Sequence, residues 1–348
     1  MTPPGQPGVP TEHPFDQLTP QAVLDALALA GLYGDGRLLQ LNSYENRVFQ
    51  VMLEDGGAVV AKFYRPGRWR DEQIQEEHDF ARQLAAADLP VVAPLPLQPD
   101  GRSLLDVPAG EQVFRLAVYP RCAGQGPDLE QPDTLRWLGR LLGRLHAVGA
   151  QQPFVHRRSL NPVTFGHAAR QRLLDMDLLP PAQGSAWAES SAHALGAIDA
   201  AFAACPAGQL RLHGDCHPGN ILWRRPDAGG AGPHIVDLDD AVMGPAVQDL
   251  WMLLSGDHAA MRSQLQPLLA GYRQFSRFDL RELALIEPLR TLRMLHHSVW
   301  LAERWADPAF PAAFPWFGSP AYWGQQTMEL REQIEAMAQP PLDGDWLD

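Results

Sequence analysis

Reactive side chains are densest between residues 210 and 240, where LRLHGDCHPGNILW is followed by a Pro/Gly-rich break and then by HIVDLDDA. His213, Asp215, His217 and Asn220 fall in a polar loop between two apolar runs, Leu210 to Leu212 and Ile221 to Trp223. A third run, His234 to Val236, delivers Asp237. Short apolar runs bounded by turn formers predict strand, charged loop, strand, turn, strand, acid. Two carboxylates and a carboxamide in that order suit phosphoryl transfer. One carboxylate serves an acceptor hydroxyl; the amide and the second carboxylate hold magnesium against nucleotide phosphates.

The five-residue step from Asp215 to Asn220 repeats that of the HRDxxxxN loop of protein kinases, and Asp237 stands where the acid of DFG would come. Other readings compete. His213, Asp215 and His217 alternate as zinc ligands could, but zinc leaves Asn220 and Asp237 without a role. Polar loop residues can simply satisfy their own backbone, yet three matched groups in this order are unusual for an ordinary turn. A nucleotide-sensing module without catalysis fits poorly, because no member of the trio is missing. Cys216 has no evident activating base and reads as a small buried filler. Asp239 and Asp240 form a second acidic pair, either reaching a second metal through water or lying on the surface.

Such a trio needs a nucleotide platform, and the first third of the chain supplies one. After Thr19-Pro20 opens a leading helix that Gly31 stops, the pattern turns to strands: LLQLNSYENRVFQVML, the turn Asp55-Gly56-Gly57, then AVVAKFY. Lys62 lies in the second strand of that hairpin. A lone strand Lys is commonly an edge guard; here it precedes an acid-bearing helix over about Asp71 to Ala87, as a phosphate-binding Lys should. Glu76 and Glu77 are adjacent, so one alone can face Lys62. Counting back from Leu84 favours Glu77 as the partner and leaves Glu76 solvated. The loop Asn42 to Asn46 has no Gly, but Ser43 and Asn46 can offer donors to phosphate oxygens.

Val91 to Pro96 reads as a Pro-pinned connection, followed by a hairpin around Asp100-Gly101 and a strand from Gln112 to Tyr119. PRCAGQG, Pro120 to Gly126, breaks the pattern as an inter-lobe hinge, with adenine expected near Val118 to Arg121. Helices follow. Leu135, Leu138, Leu141, Leu142, Leu145 and Val148 form a core stripe, on which His146 reads as a satisfied core residue. Further helices are expected near Thr164 to Leu174, Ala186 to Ala204 and Leu280 to Trp305. Asp249, on the apolar face of GPAVQDLWMLLSG, needs partners and is expected to accept hydrogen bonds from the catalytic-loop backbone. Arg290, Arg293, His296 and His297 could bind an anionic acceptor, though a solvated helix face is the default. The aromatics of Ala309 to Trp323 are expected chiefly as core.

Composition agrees with a folded enzyme. The chain has 348 residues, 45% hydrophobic and 20% charged, enough for two lobes with separate cores. A formal charge of −13 argues against a broad nucleic-acid surface. The three cysteines form no CxxC pair, suggesting neither a disulfide framework nor a zinc knuckle. The start lacks a signal-peptide pattern and no run approaches a membrane span, so a cytoplasmic protein is expected.

LNSYENRVFQ, KFYRPGRW, LRLHGDCHPGNILW, VDLDDAVMGPAVQDLWMLL, LIEPLR and RWADPAFPAAFPW together resemble the bacterial stress response kinase A family, within the wider group of aminoglycoside- and choline-kinase-like phosphotransferases. The resemblance runs through almost the whole chain. It implies a cytoplasmic ATP- and magnesium-dependent kinase acting on Ser or Thr of a protein during stress. It would place proton acceptance on Asp215, magnesium on Asn220 and Asp237, and an ATP contact on Ser43. The absent Gly-rich loop, DLDD in place of DFG and the missing APE word depart from ordinary protein kinases and are shared with small-molecule kinases.

The expected architecture is therefore α+β, a two-lobed protein-kinase-like fold with a small antiparallel β lobe carrying one key helix and a larger helical lobe. A disordered tail over 1–14 precedes a nucleotide lobe over 15–119, a hinge over 120–126 and a catalytic lobe over 127–348. Asp215 and Asp237 are the candidate catalytic residues, Ser43, Lys62 and Glu77 the ATP-binding ones, and Asn220 and Asp237 the magnesium ligands. The expected partners are ATP and a protein acceptor, on a monomer.

Overall fold

The computed structural model describes residues 13–110, 112–224 and 232–342. Most of the expected tail and the Pro/Gly-rich break before His234 lie outside the described residues. His13 and Pro14, assigned to the tail, belong instead to the folded body: Pro14–Gln17 is a helical turn capped by His13, and Phe15 is buried.

Helix α1 (Pro20–Leu29) is capped by Thr19 and backs a five-stranded antiparallel sheet of order β1 (Gly34–Leu41), β2 (Arg47–Leu53), β3 (Ala58–Phe63), β5 (Gln112–Pro120), β4 (Leu105–Ala109). Strand alternation divides its residues. Val59, Ala61 and Phe63 point to the core shared with α1, whose Val23 and Leu27 are fully buried. Val60 and Lys62 take the opposite face, and Val48 sits directly across from Lys62. Helix α2 (Asp71–Ala86) buries Ile74, Glu77, Phe80, Ala81 and Leu84, the helical spacing that fixes Glu77 inward.

The hairpin expected around Asp100-Gly101 is a tight turn there, closed by the Leu97 N–H on the Arg102 carbonyl (2.8 Å). The ladder itself is β4 against β5, turning near Gly110. β4 is the sheet's edge, where Pro108 is tolerated because no further strand needs its missing N–H.

In the second lobe α3 (Pro132–Gly149) packs against α7 (His258–Tyr272) so closely that a Cβ on Gly139 would stand 1.9 Å from the Leu268 carbonyl oxygen. Helices α4 (Ala168–Asp175), α5 (Pro181–Ala204), α6 (Val247–Trp251), α8 (Ile286–Glu303), α9 (Ala309–Ala313) and α10 (Pro320–Ala338) complete the helical mass. The helix expected over Leu280 to Trp305 starts as a separate turn of tighter helix, Leu280–Leu285, and becomes α8 where Pro288 fits a first turn. Two small ribbons lie at the lobe boundary, β6 (Leu210–Leu212) with β9 (Val242–Gly244) and β7 (Ile221–Arg224) with β8 (Gly232–Ile235). Phe80 and Leu84 of α2 share a core with Leu141 and Leu145 of α3 and Ile235 of β8, so α2 packs on both lobes. Phe310, Phe317 and Trp323 are buried as expected.

Candidate active site

The ribbons set the loop geometry. Between β6 and β7 the chain turns at Gly214 (φ +84°), where a Cβ would stand 2.3 Å from the Asp240 carbonyl oxygen. Only a residue without a side chain lets the two acidic loops pass so closely. Asp249 is fully buried, and its carboxylate accepts the His213 and Gly214 N–H groups, each at 2.8 Å. The Gln248 amide donates to the Gly214 carbonyl (2.8 Å). Asp249 in turn meets His146 Nε2 at 3.0 Å, and His146 Nδ1 lies 2.9 Å from the Tyr272 hydroxyl. Burial would raise the Asp249 pKa, but His146, the nearby His213 ring and the Gly214 N–H hold it below the usual carboxylate value. Both sequence expectations, a satisfied His146 and an Asp249 bonded to the loop backbone, match this arrangement.

His213 Nδ1 accepts the Asp215 N–H (3.3 Å), and Nε2 is 2.9 Å from the Val236 carbonyl. With both ring nitrogens engaged, His213 is unsuited to the zinc reading. The Asn220 amide nitrogen donates to the Asp215 carbonyl (2.9 Å), and the Val236 N–H to the Asn220 carbonyl (3.1 Å). Asp215, Asn220 and Asp237 are thus tied through consecutive backbone links. Asp237 has left-handed backbone angles (φ 59°, ψ 68°), uncommon for a residue with a side chain and frequent where function constrains the chain. Cys216 is fully buried, and burial drives its thiol pKa up.

Asp215, Asn220, Asp237, Lys62, Glu77 and Ser43 all line one cleft of about 1310 Å³ between the lobes. Lys62 Nζ stands 3.2 Å from Asp237 Oδ1, 3.2 Å from Asp239 Oδ1 and 4.0 Å from Glu77 Oε1. Burial alone would lower the Lys62 pKa; Asp239, Asp237 and Glu77 reverse this and raise it well above its ordinary value. Burial lifts Glu77 to about 7 against the pull of Lys62. Glu76 is not solvated: its carboxylate accepts the N–H groups of Val155, His156 and Arg157 at 2.6–2.9 Å, bonding α2 to the other lobe.

Of the two acids beside Asp237, Asp239 is buried and Asp240 remains partly exposed. Asp239 is buried between Lys62 and Arg68 Nη1 (2.6 Å), while Asp240 accepts Arg68 Nη2 (2.6 Å). Asn46 is engaged too, its amide nitrogen donating to Asp239 (3.2 Å) and its side-chain oxygen accepting the Arg65 N–H (3.1 Å). Glu45 beside it takes the indole N–H of Trp300 on α8 (2.6 Å) and Arg304 just past the end of α8. Past α8, Asp307 meets Arg65 (2.7 Å), Arg47 (3.2 Å) and the His13 ring (3.6 Å). The loop over the cleft is therefore tethered to the opposite lobe.

On α8, Arg290 pairs with Glu287 (2.8 Å), but Arg293, His296 and His297 line the cleft and Arg293 is hydrogen-bonded to Asp215. The solvated face expected there is instead a wall of the site. Burial keeps His296 neutral, its pKa lowered to about 3. Arg158 and Arg68 complete the surroundings without having been singled out from the sequence.

The donor set suits a hard cation. The Asn220 side-chain oxygen and the half-exposed Asp237 carboxylate could serve as oxygen ligands, and among the described residues no cluster of three or more His, Cys, Asp or Glu forms a closed protein cage. Magnesium is typically bound this way, by one or two protein groups plus substrate phosphates. Among the described residues no helix is long and apolar enough to cross a membrane.

Comparison with known proteins agrees with this geometry. The chain is 44% identical over 328 residues to stress response kinase A of Escherichia coli K12, covering 94% of this chain and 96% of the relative. A Salmonella typhimurium relative called serine/threonine protein kinase RdoA is 43% identical over the same span. Among solved structures, an amicoumacin kinase in complex with AMP-PNP and Ca²⁺ superposes with a TM-score of 0.69 at 19% identity, covering 94% of this chain and 96% of that one. A microcompartment-associated aminopropanol kinase gives 0.65 at 18%, covering 90% and 95%. Residues 37–286 match the phosphotransferase enzyme family, APH. With a two-lobed kinase-like fold and relatives matched along nearly their whole length, the chain belongs to that family, in its stress response kinase A branch, and is a kinase.

Proposed function

We propose that the protein is an ATP- and magnesium-dependent kinase of Ser or Thr hydroxyls in proteins. The observation that carries this is the convergence of Asp215, Asn220, Asp237 and Lys62 on one cleft, with Asn220 bonded to the Asp215 backbone and Asp237 ion-paired to Lys62. In this reading 15–119 and 127–348 are the two lobes, 120–126 is the hinge, and adenine lies against the β5 end beneath Val48, Val60 and Leu222. Lys62, held by Glu77 and Asp239, contacts the nucleotide phosphates, and Ser43 approaches them from the loop above. Magnesium held by Asn220 and Asp237 would neutralise charge on the phosphate oxygens during transfer.

Asp215 orients the acceptor hydroxyl. As its oxygen bonds to the γ-phosphorus, the bond to the β,γ-bridging oxygen breaks, the hydroxyl proton passes to the Asp215 carboxylate and ADP departs. The protein acceptor is supported by the name of the Salmonella relative. The same fold serves small acceptors in kinases named for amicoumacin and aminopropanol, so a metabolite acceptor is the alternative reading. Incubation with γ-labelled ATP, separately with cell protein and with cell metabolites, distinguishes them: label is expected in polypeptide. Asp215→Asn should reduce transfer by at least about 10³-fold while nucleotide binding persists. Equal activity in that variant removes Asp215 from its role.

A further inference from the structure

The cations around the cleft differ in what they already bond. Lys62 is engaged by Asp237 and Asp239, Arg68 by Asp239 and Asp240, Arg304 by Glu45, and Arg293 by Asp215. Arg158 lines the same cleft and has no carboxylate within ion-pair distance among the described residues. Its guanidinium lies 5.3 Å from the Trp69 ring centroid and 5.1 Å from that of Phe165. Trp69 is also approached by Arg157 at 4.5 Å and Arg68 at 5.1 Å. Arg157 is consumed by the backbone carbonyls of Gln73, Asp239 and Ala241. Among the described arginines lining the cleft, Arg158 is the one whose fork of donors is open.

Its position relates it to the acceptor. Phe165, under Arg158, stacks on His296 with centroids 4.6 Å apart. His296 is one helical turn along α8 from Arg293, which bonds Asp215. A chain of contacts therefore leads from the Asp215 carboxylate through Arg293, His296 and Phe165 to the Arg158 guanidinium. The exposed Arg158 guanidinium has Arg68 and Arg157 as cationic neighbours and Asp240, beyond ion-pair distance, as a counter-charge, so an anion arriving with the ligand would be drawn to it. A planar guanidinium braced by aromatic faces is well suited to a carboxylate or phosphate oxygen pair.

We infer that Arg158 is the docking point for a negatively charged group carried by the acceptor, so that the preferred substrate is a hydroxyl flanked by an anionic group: in protein form, a Ser or Thr beside acidic side chains. The inference rests on the reading above that Asp215 receives the acceptor hydroxyl. Charge selection at such a site would act on the acceptor alone and leave ATP recognition to Lys62.

The test compares kcat/KM for Ser peptides identical except for Glu, Gln or Lys flanking the Ser, and for glycerate against glyceramide, in wild type and Arg158→Gln. Wild type should prefer the Glu peptide over the Gln peptide by at least about tenfold, with the Lys peptide poorest. Arg158→Gln should abolish that preference while the Gln peptide and the KM for ATP stay within about twofold. Arg158→Lys should retain part of it, and melting curves check that the variants fold. Preference unchanged in Arg158→Gln, no preference in wild type for either series, or a variant defect confined to ATP would each overturn the anion site. Silence of every peptide together with use of glycerate over glyceramide would sustain the anion site and remove the protein-acceptor reading.

Discussion

Glu76 and Glu77 are adjacent in sequence, yet one bonds the backbone of the opposite lobe and the other stands by Lys62, because successive helical residues diverge by about 100°. Glu77 carries a testable pH signature. Its pKa is raised by burial to about 7, so it takes up a proton as pH falls through that value and Lys62 loses a counter-charge. The KM for ATP should therefore rise in wild type below about pH 7. Glu77→Gln, which lacks the charge at every pH, should show a KM about tenfold higher at pH 8 and a flat profile, measured by initial rates against ATP. Much at this scale was legible in the sequence. Asp215 and Asn220 are five residues apart and Asp237 follows a short strand, so local pattern suffices. Arg293 meets Asp215 across 78 residues, and Arg158 is defined by aromatics from two other segments; no local spacing encodes either.

Among the elements, α6 does the most positioning for its size: five residues, with Gln248 and Asp249 both bonded to the catalytic loop. Its start is held by Glu282, buried in the Leu280–Leu285 turn and accepting the Val247 N–H at 2.9 Å. Burial raises the Glu282 pKa to about 7 from its ordinary 4.5. An acid whose folded pKa lies above its unfolded one stabilises relative to the charged form below the unfolded pKa, and that contribution is lost as pH rises through the folded pKa. Wild type should thus lose stability between about pH 4.5 and 7 at this site. Glu282→Gln keeps an acceptor without the charge; by urea unfolding it should be about 1–3 kcal/mol more stable than wild type at pH 8, with the gain vanishing near pH 4.5. The sequence announced Asp249 because an acid on an apolar face demands partners. It concealed β4, whose five residues LDVPA include Asp106 and Pro108, both poor strand formers that only an edge tolerates.

Across the whole molecule, two kinds of contact span the cleft. The apolar one, Phe80 and Leu84 against α3 and β8, fixes α2 to the second lobe. The ionic one joins Glu45, Arg65 and Arg47 to Arg304 and Asp307. Asp307 is 2% exposed, so removing it strands buried guanidinium groups. Asp307→Ala should cost about 3 kcal/mol in denaturant unfolding. It should also raise the KM for ATP by about tenfold through the loosened loop, with kcat at saturating ATP changed less. The two-lobed plan was readable from the change of hydrophobic period alone, but this cross-lobe bonding depends on charged residues whose partners lie in remote segments.

The ionic tether has a practical consequence for how the catalytic unit is delimited. The family match ends at residue 286, before Arg293, His296, Trp300, Arg304 and Asp307. A fragment trimmed to residues 37–286 would retain Asp215, Asn220 and Asp237, yet it would have lost one side of its trough and the anchor of its roof.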